Sequence, residues 1–332
     1  MKRGLKKGSW IVIFALILIV TVIVSLMLGR YPVTPAELVK IIFGKGSEAG
    51  SNSSTVFFNI RLPRILLACM VGAGLSTAGA VYQGIFRNPM ASPDILGASN
   101  GAAFGAALAL LLSASRTTVA FAAFVSGLLA VGLVFAVSKR AQGKHVVTLI
   151  LAGIMVSSLF SAGTSFVKLV ADPSDRLPAI TYWLMGSLSG TKKENVLFAL
   201  IPLALGIIPV FAVRWRLNIL TLGDDEARAL GVNAGRLRIL AVICSTLITA
   251  ACVAVSGMIG WVGLVIPHLA RRIVGNDFKY LLPVSTLMGA AFLLVVDDVS
   301  RNLLATEIPI GILTAVIGAP FFIYLILRRE QV

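Results

Sequence analysis

The sequence contains few charged residues. Only 13% of its 332 residues are Asp, Glu, Lys or Arg, whereas soluble globular domains carry roughly 25%. Hydrophobic residues make up 58% of the chain, and the mean hydropathy is +0.94. This composition excludes an ordinary soluble enzyme, a disordered chain and a disulfide scaffold, and it predicts a membrane protein.

Acidic residues are scarcer than basic ones. The 14 acidic and 29 basic residues give a formal net charge of +15. In a soluble protein such an excess would indicate nucleic-acid binding. In a membrane protein, however, Lys and Arg accumulate in cytoplasmic loops. Membrane orientation therefore explains most of the excess, and we expect no nucleic-acid partner.

Side chains and motifs that carry chemistry are also rare. Cys69, Cys244 and Cys252 show no Cys-x-x-Cys spacing, and His145 and His268 lie far apart in the sequence. A metal site or a thiol redox pair is therefore not expected. No Gly-x-x-x-x-Gly-Lys-Ser/Thr motif is present to cradle the phosphates of ATP. We expect no catalytic residue, cofactor or metal ion in this chain.

Long uncharged stretches dominate the sequence. At about 1.5 Å per helical residue, most of them can cross about 30 Å of hydrocarbon as single helices. The stretches are 9–29, 65–86, 95–115, 117–138, 145–167, 195–213, 239–270, 280–296 and 308–327.

The stretch 239–270 is too long for one upright helix, and its second half contains Gly257, Gly260, Gly263 and Pro267. If it crosses once, the chain has nine crossings, with 14 basic residues inside and 15 outside. A break near Gly257 gives ten crossings, with 18 basic residues inside and 11 outside. The positive-inside rule favours ten crossings with both termini in the cytoplasm. We therefore expect residues 1–332 to form a single transmembrane domain.

Two cytoplasmic or span-terminal patterns predict local structure. The prolines of 87–94 predict a non-helical turn at the cytoplasmic end of the second span. Gly97, Gly101 and Gly105 recur every four residues, which predicts one helix face that a neighbouring backbone approaches closely.

Three arginines lie on the outer side in the ten-span arrangement, against the general charge bias. Arg61 and Arg64 precede the second span, and Arg301 follows the ninth. One interpretation is that Arg61 and Arg64 anchor the chain at the membrane interface, and that Arg301 forms a local ion pair with Asp297 or Asp298. They also fit a docking site for carboxylates on an external partner, because a guanidinium binds carboxylate bidentately.

The cytoplasmic segment 217–231 predicts a short charged helix. Three acidic residues follow Gly223, as in the first turn of a helix, and Gly231 suits the helix end. Such a segment is either a solvated amphipathic loop or a surface for a protein partner.

Five segments, taken together and in this order, resemble the FecCD-type permease subunits of ABC importers for iron–siderophore complexes, haem and vitamin B12. The resemblance extends over about 61–329. The segments are RLPR at 61–64, QGIFRNPMASPDILG at 83–97, LTLGDDEARALGV at 220–232, WVGLVIPHLARRIVG at 261–275 and EIPIGILTAVIGAPFF at 307–322.

The resemblance implies an all-α polytopic membrane protein, a type II importer subunit with ten transmembrane helices like the vitamin B12 permease. It also implies an assembly in the bacterial cytoplasmic membrane. The partners would be a second permease subunit, identical or related, two cytoplasmic ATP-binding subunits and an extracytoplasmic substrate-binding protein. The ATPase-docking residues it implies are Leu222, Gly223, Asp224, Glu226, Ala227, Arg228 and Gly231. Arg61, Arg64 and Arg301 match basic positions that face glutamates of the binding protein.

The family lines its pathway with the fifth and tenth spans, which places a cytoplasmic gate at Val146, Val147 and Thr148. A ferric siderophore is the first expectation for the substrate, with haem and cobalamin as alternatives. A secondary carrier without an ATPase and a membrane-embedded enzyme are the alternatives of another class. Both would need ionisable groups or metal ligands at membrane depth, which this sequence scarcely provides.

Overall fold

A computed structural model describes residues 6–29, 31, 34–42, 51–140 and 145–329, and every regular element in these ranges is helical. The basic residues Lys2 and Arg3, on which the predicted cytoplasmic N-terminus partly depends, lie outside the described residues. A π-helical turn lies at Phe57–Arg61, and a 3-10 turn lies at Pro93–Leu96.

The α-helices are α1 Lys7–Met27, α2 Pro35–Ile42, α3 Ser51–Val56, α4 Leu62–Ile85, α5 Ala98–Leu111, α6 Arg116–Arg140, α7 His145–Val170, α8 Arg176–Leu184, α9 Lys193–Ala212, α10 Arg214–Leu222, α11 Asp224–Ala229, α12 Ala234–Ser256, α13 Val262–Val274, α14 Phe278–Asn302 and α15 Ile310–Arg329.

Within the described residues, seven helical segments are long and apolar enough to cross a membrane, and they include α1, α4, α6, α7, α9, α12 and α14. Two further apolar helices, α5 and Ile310–Tyr324 in α15, are shorter. The predicted break in 239–270 is confirmed, because α12 ends at Ser256 and α13 begins at Val262. The count of ten crossings stays a prediction.

The core lies around α4, α12 and α14. About 78%, 72% and 61% of their apolar windows are buried, against 11% for α1 and 22% each for α7 and α9. Close helix contact depends on glycine. A Cβ added to Gly72 of α4 would lie 2.2 Å from the carbonyl oxygen of Gly289 in α14. The exposed outer helices are thus free to meet lipid or partner chains.

The glycine face of α5 is confirmed in part. A Cβ on Gly101 or Gly105 would lie 2.7 Å from Ser126 O or 2.4 Å from Ala122 O, both in α6. Gly97 plays a different role, since its positive φ of 78° ends the 3-10 turn.

The turn predicted at 87–94 follows the end of α4 directly, and from Pro93 the chain forms a 3-10 turn that lies within the helical layer. α4 ends at Ile85, yet Pro93 lies against Leu75 and Gly263, because a Cβ on Gly263 would be 2.4 Å from Pro93 Cγ and 2.7 Å from Leu75 O. Leu75 is ten residues before the end of α4, or about 15 Å along its axis. The chain therefore turns back into the helical layer instead of staying at the cytoplasmic surface.

Candidate functional site

Arg64 joins three elements at the end of the molecule that is predicted to face outward, called the outer end from here on. Its guanidinium lies 2.9 Å from Asp297 of α14 and 2.9 Å from Glu307 of the loop before α15. Its Nε also donates to both carboxylate oxygens of Asp297, at 3.1 and 3.0 Å. Asp297 is fully buried, whereas the Glu307 side chain is 25% exposed. The network satisfies a buried charge within this chain.

The other two outer arginines are held against α1. Arg301 donates to the hydroxyl of Ser25 at 2.8 Å and pairs with Asp298, which also accepts from that hydroxyl at 2.7 Å. Arg61 donates to the carbonyl oxygens of Leu26 and Tyr31. Both guanidinium groups thus stabilise the packing of α1 on the core.

The local pair of Arg301 with Asp298 is therefore confirmed. α14 continues to Asn302, so that Asp297 and Asp298 belong to its last turns and not to an outer loop. Docking of a binding protein on Arg61, Arg64 and Arg301 stays a prediction. All three are at most 7% exposed in the isolated chain.

The predicted cytoplasmic helix is present and ends at glycines on both sides. Gly223, with φ 145°, separates α10 from α11, which begins at Asp224. Gly231, with φ 75°, follows the last turn, and Val232 N donates to Ala227 O at 2.9 Å. This six-to-one hydrogen bond is the Schellman pattern, in which glycine adopts the left-handed conformation at low cost.

The segment 217–231, called the inner segment from here on, presents a mixed apolar and charged surface. Ala227 is fully buried, whereas Leu222 and Leu230 are 58% and 60% exposed. Glu226 and Arg228 are exposed beside them. Sequence reasoning omitted Leu230 from the docking residues, although a leucine in a short charged helix is itself a signal for an apolar contact.

Asn218 fixes the inner segment to the core, a contact that sequence reasoning missed. Its side chain donates to Asp277 Oδ1 at 2.9 Å and accepts from Phe278 N at 2.9 Å. Asp277 is the N-cap of α14, accepting from Lys279 N at 2.9 Å. That backbone hydrogen bond, followed by the one from Asn218, lowers the pKa of Asp277 despite partial desolvation. The two residues are 59 positions apart, so no local pattern connects them.

The predicted gate residues lie in the first turn of α7. Val147 is 53% exposed, and Val146 and Thr148 are half-buried. A gate at these positions stays a prediction.

No metal centre is built by the part of the chain that the structure describes, because it contains no group of three or more His, Cys, Asp or Glu that could hold an ion. Cys244 and Cys252 are buried and Cys69 is half-buried, all as free thiols. Their environment is that of small hydrophobic residues.

Comparison with known proteins gives consistent results. The profile of the FecCD transport family matches residues 17–328. The chain is 42% identical over 318 residues to the molybdate import system permease protein MolB of Haemophilus influenzae, covering 95% of this chain and 94% of that protein. It is 43% identical over 286 residues to a probable iron chelatin transport system permease protein of Helicobacter pylori, covering 86% of each.

The fold matches a solved structure as well. A metal-chelate type ABC transporter in an inward-facing conformation superposes with a TM-score of 0.89 at 40% identity, covering 97% of this chain and 99% of that chain. The chain belongs to the FecCD transport family and is an ABC-importer permease subunit, with ATP hydrolysis on separate subunits.

Proposed function

We propose that this chain imports a ferric siderophore through the bacterial cytoplasmic membrane. In the proposed assembly it pairs with a second permease subunit, binds two cytoplasmic ATPases and receives its substrate from an extracytoplasmic binding protein. The observation that carries the proposal is the exposed surface of α11 and its flanks, where Leu222 and Leu230 stand beside Glu226 and Arg228. Large exposed leucines amid charged side chains are typical of a protein interface.

The geometry of the inner segment suits force transfer from an ATPase. Leu217 and Leu220 of α10 are buried, and Asn218 is hydrogen-bonded to the start of α14. A force applied to α11 would therefore act on a segment that is fixed to a core helix through α10. ATP shifts the conformational equilibrium only because it binds one state of the ATPases more tightly than the other.

Alternating access then follows in two steps. The loaded binding protein docks outside on the surface around Arg61, Arg64 and Arg301, where charge complementarity sets orientation and association rate. Movement of the inner segment then opens the pathway at Val146, Val147 and Thr148. An apolar constriction of this kind can close by dewetting.

The substrate assignment rests on similarity to relatives. The relative from Helicobacter pylori carries the name of an iron chelatin permease, and the matched structure is a metal-chelate type transporter. Other relatives carry the names of cobalamin, haemin and molybdate permeases. A ferric siderophore is our first choice, and haem and cobalamin are the alternatives for the same transporter type.

The docking surface is tested by reversing one charge. Glu226→Lys should abolish co-purification of the ATPase with the permease, or uncouple ATP hydrolysis from uptake. Glu194→Lys, a reversal of the same type in the first turn of α9, is the matched control and should retain both. Normal coupling in Glu226→Lys would remove this residue from the interface. Failure of the wild-type permease to bind any ATPase would remove the importer function itself.

The substrate is tested with the binding protein. Equilibrium binding of ferrichrome, haemin, cyanocobalamin and molybdate to the binding protein encoded beside the permease should favour ferrichrome. Uptake of the same compound into proteoliposomes should require ATP. Preference for haemin, cyanocobalamin or molybdate would replace the siderophore as substrate and leave the importer assignment intact.

A further inference from the structure

We infer that Asp94 forms a charge-selective cargo subsite inside the membrane layer, which favours cationic or hydrogen-bond-donating groups of a chelate and rejects oxyanions. This inference rests on the proposed importer function and adds the substrate chemistry to it. Its structural basis is two stretches that interrupt the regular helical layer, the segment after α4 and the break between α12 and α13.

Two non-helical segments meet deep in the fold. The segment after α4 returns to the middle of that helix, and α13 begins at the same level after its break from α12, where Pro93 lies against Gly263 in the first turn of α13. Non-helical backbone at membrane depth is tolerated only where protein buries it or where it lines a polar cavity. Discontinuous helices of this kind form the substrate sites of many transporters.

A cavity of about 230 Å³ lies between these two segments. Ser92 and Asp94 line one wall, and Gly260, Trp261 and Leu264 line the other. Asp94 is the only charged residue among the lining side chains. A carboxylate at this depth is costly unless it has a partner, which makes it a functional site by default.

The segments that form the cavity walls pack on α7 and α15, which correspond to the predicted fifth and tenth spans. On one side, a Cβ added to Gly153 of α7 would lie 2.3 Å from Ile95 O. On the other, Trp261 packs on Gly318 and Phe322 of α15, with its ring centroid 6.3 Å from that of Phe322. The cavity therefore lies between segments that pack on α7 and on α15.

Asp94 has a hydrogen-bond partner but no cationic one in the described part of the chain. Its carboxylate accepts from the hydroxyl of Ser99 in the first turn of α5, and its backbone N donates to Ser92 Oγ at 3.1 Å. The carboxyl group is therefore left for a ligand, and a cationic group of that ligand would stabilise its ionised form. The indole of Trp261 on the opposite wall adds a face that attracts cations.

The same geometry explains the rejection of oxyanions. α5 and α13 both begin beside the cavity, and helix N-termini favour anions. The carboxylate of Asp94 already accepts a hydrogen bond from Ser99 in the first turn of α5. An incoming oxyanion would meet like charge, whereas removal of the Asp94 charge would leave two helix N-termini available to it.

The test uses matched ferric chelates and the permease–ATPase complex in nanodiscs. Ferrioxamine B carries a free ammonium group, and N-acetylferrioxamine B is its neutral counterpart. The wild type should bind ferrioxamine B about tenfold more tightly, as expected for one charge-assisted hydrogen bond. Asp94→Asn keeps an acceptor for Ser99 and should bind the two chelates equally. Molybdate should compete with the chelates about tenfold more strongly for Asp94→Asn than for the wild type.

Two further variants serve as controls. Asp94→Glu should restore the preference for ferrioxamine B. Asp175→Asn removes a carboxylate that is exposed in the outer loop and should leave the preference unchanged. Equal binding of both chelates by the wild type, binding of neither, or an unchanged preference in Asp94→Asn would overturn the subsite. The importer function would survive these results, since it falls only if the permease fails to assemble with an ATPase.

Discussion

The two ends of the molecule use charged residues in opposite ways. At the outer end, Arg64 and Arg301 are buried and paired with carboxylates of α14, and Arg61 is buried against backbone carbonyls. At the inner end, Glu226 and Arg228 are exposed next to exposed leucines. Buried charges are stable only when paired, whereas these exposed ones lie on a surface that a second protein could contact.

This difference separates what holds the chain together from what it presents to others. The outer arginines tie α1, α4, α14 and the loop before α15, so that their first role is in stability. The solvent-reachable member of that network is Glu307, whose side chain is 25% exposed. The inner segment contributes less to the core and more to the surface. Each of the following changes tests one side of this contrast.

The largest effect should come from Arg64→Ala. It leaves Asp297 fully buried, with Arg301 as the remaining cation at 4.0 Å, and breaking a buried ion pair costs about 3–5 kcal/mol. Thermal unfolding of the purified permease in detergent measures the loss.

Arg176→Ala is the matched control for Arg64→Ala, because the side chain of its partner Asp175 is 72% exposed. Such a surface pair contributes about 0–1 kcal/mol. If Arg64→Ala unfolds like the wild type and only weakens the docking of the binding protein, the contrast between the two ends is wrong and Arg64 is a docking residue.

Gly223→Ala should have the next largest effect. At φ 145° a residue with a Cβ is strained, and that Cβ would lie 2.1 Å from Glu226 Oε2. We expect a cost of about 1–3 kcal/mol, concentrated in the inner segment, and therefore reduced ATPase co-purification with an intact fold.

Gly235→Ala serves as the control for Gly223→Ala. It lies in α12 near the same surface, and the nearest atom to an added Cβ is Asn233 Oδ1 at 3.5 Å. In a helix this change is expected to be neutral or stabilising. Equal co-purification for both variants would show that the conformation of Gly223 is unimportant for docking.

A smaller effect is expected for Asp277→Ala. It removes the N-cap of α14 and the acceptor for Asn218, and loss of such a cap costs about 1 kcal/mol. Thermal unfolding of the permease measures it. Asn218→Ala should reproduce part of the loss, and an unchanged unfolding temperature in both would mean that the inner segment is held elsewhere.

The smallest effect is the pH dependence of the stability that Asp277 contributes. Hydrogen bonds hold the pKa of Asp277 below its usual value, so that its stabilisation is complete above the unfolded pKa of about 4. It is lost as the pH falls through the lower folded pKa. The difference in unfolding temperature between wild type and Asp277→Ala should therefore shrink below about pH 4. A difference that grows on acidification would contradict this sign.

The sequence was sufficient for features that depend on neighbouring residues. Uncharged stretches located the long helices, glycines located the break after Ser256, and the acidic run after Gly223 located α11. Each of these is a local signal, because helix length, caps and breaks depend on residues within a few positions.

Features that depend on distant pairing could not be predicted. Arg64 and Glu307 are 243 positions apart, and Asn218 and Asp277 are 59 apart. The depth of Asp94 follows from the contact of Pro93 with Gly263 and Leu75, residues of separate helices that no window of sequence brings together. The charge of Asp94 was visible, but its position within the membrane layer was not.

α14 is one continuous helix from Phe278 to Asn302. Its first residue is hydrogen-bonded to Asn218 of the inner segment, and its last turns carry Asp297 and Asp298, which hold the outer arginines. At about 1.5 Å per residue, its 25 residues span roughly 36 Å. The helix therefore reaches from one face of the molecule to the other. A tilt of about 5° around its midpoint moves the two ends by about 1.6 Å each, in opposite directions, over this length. A displacement of the inner segment that tilts α14 would therefore also move the carboxylates at its far end.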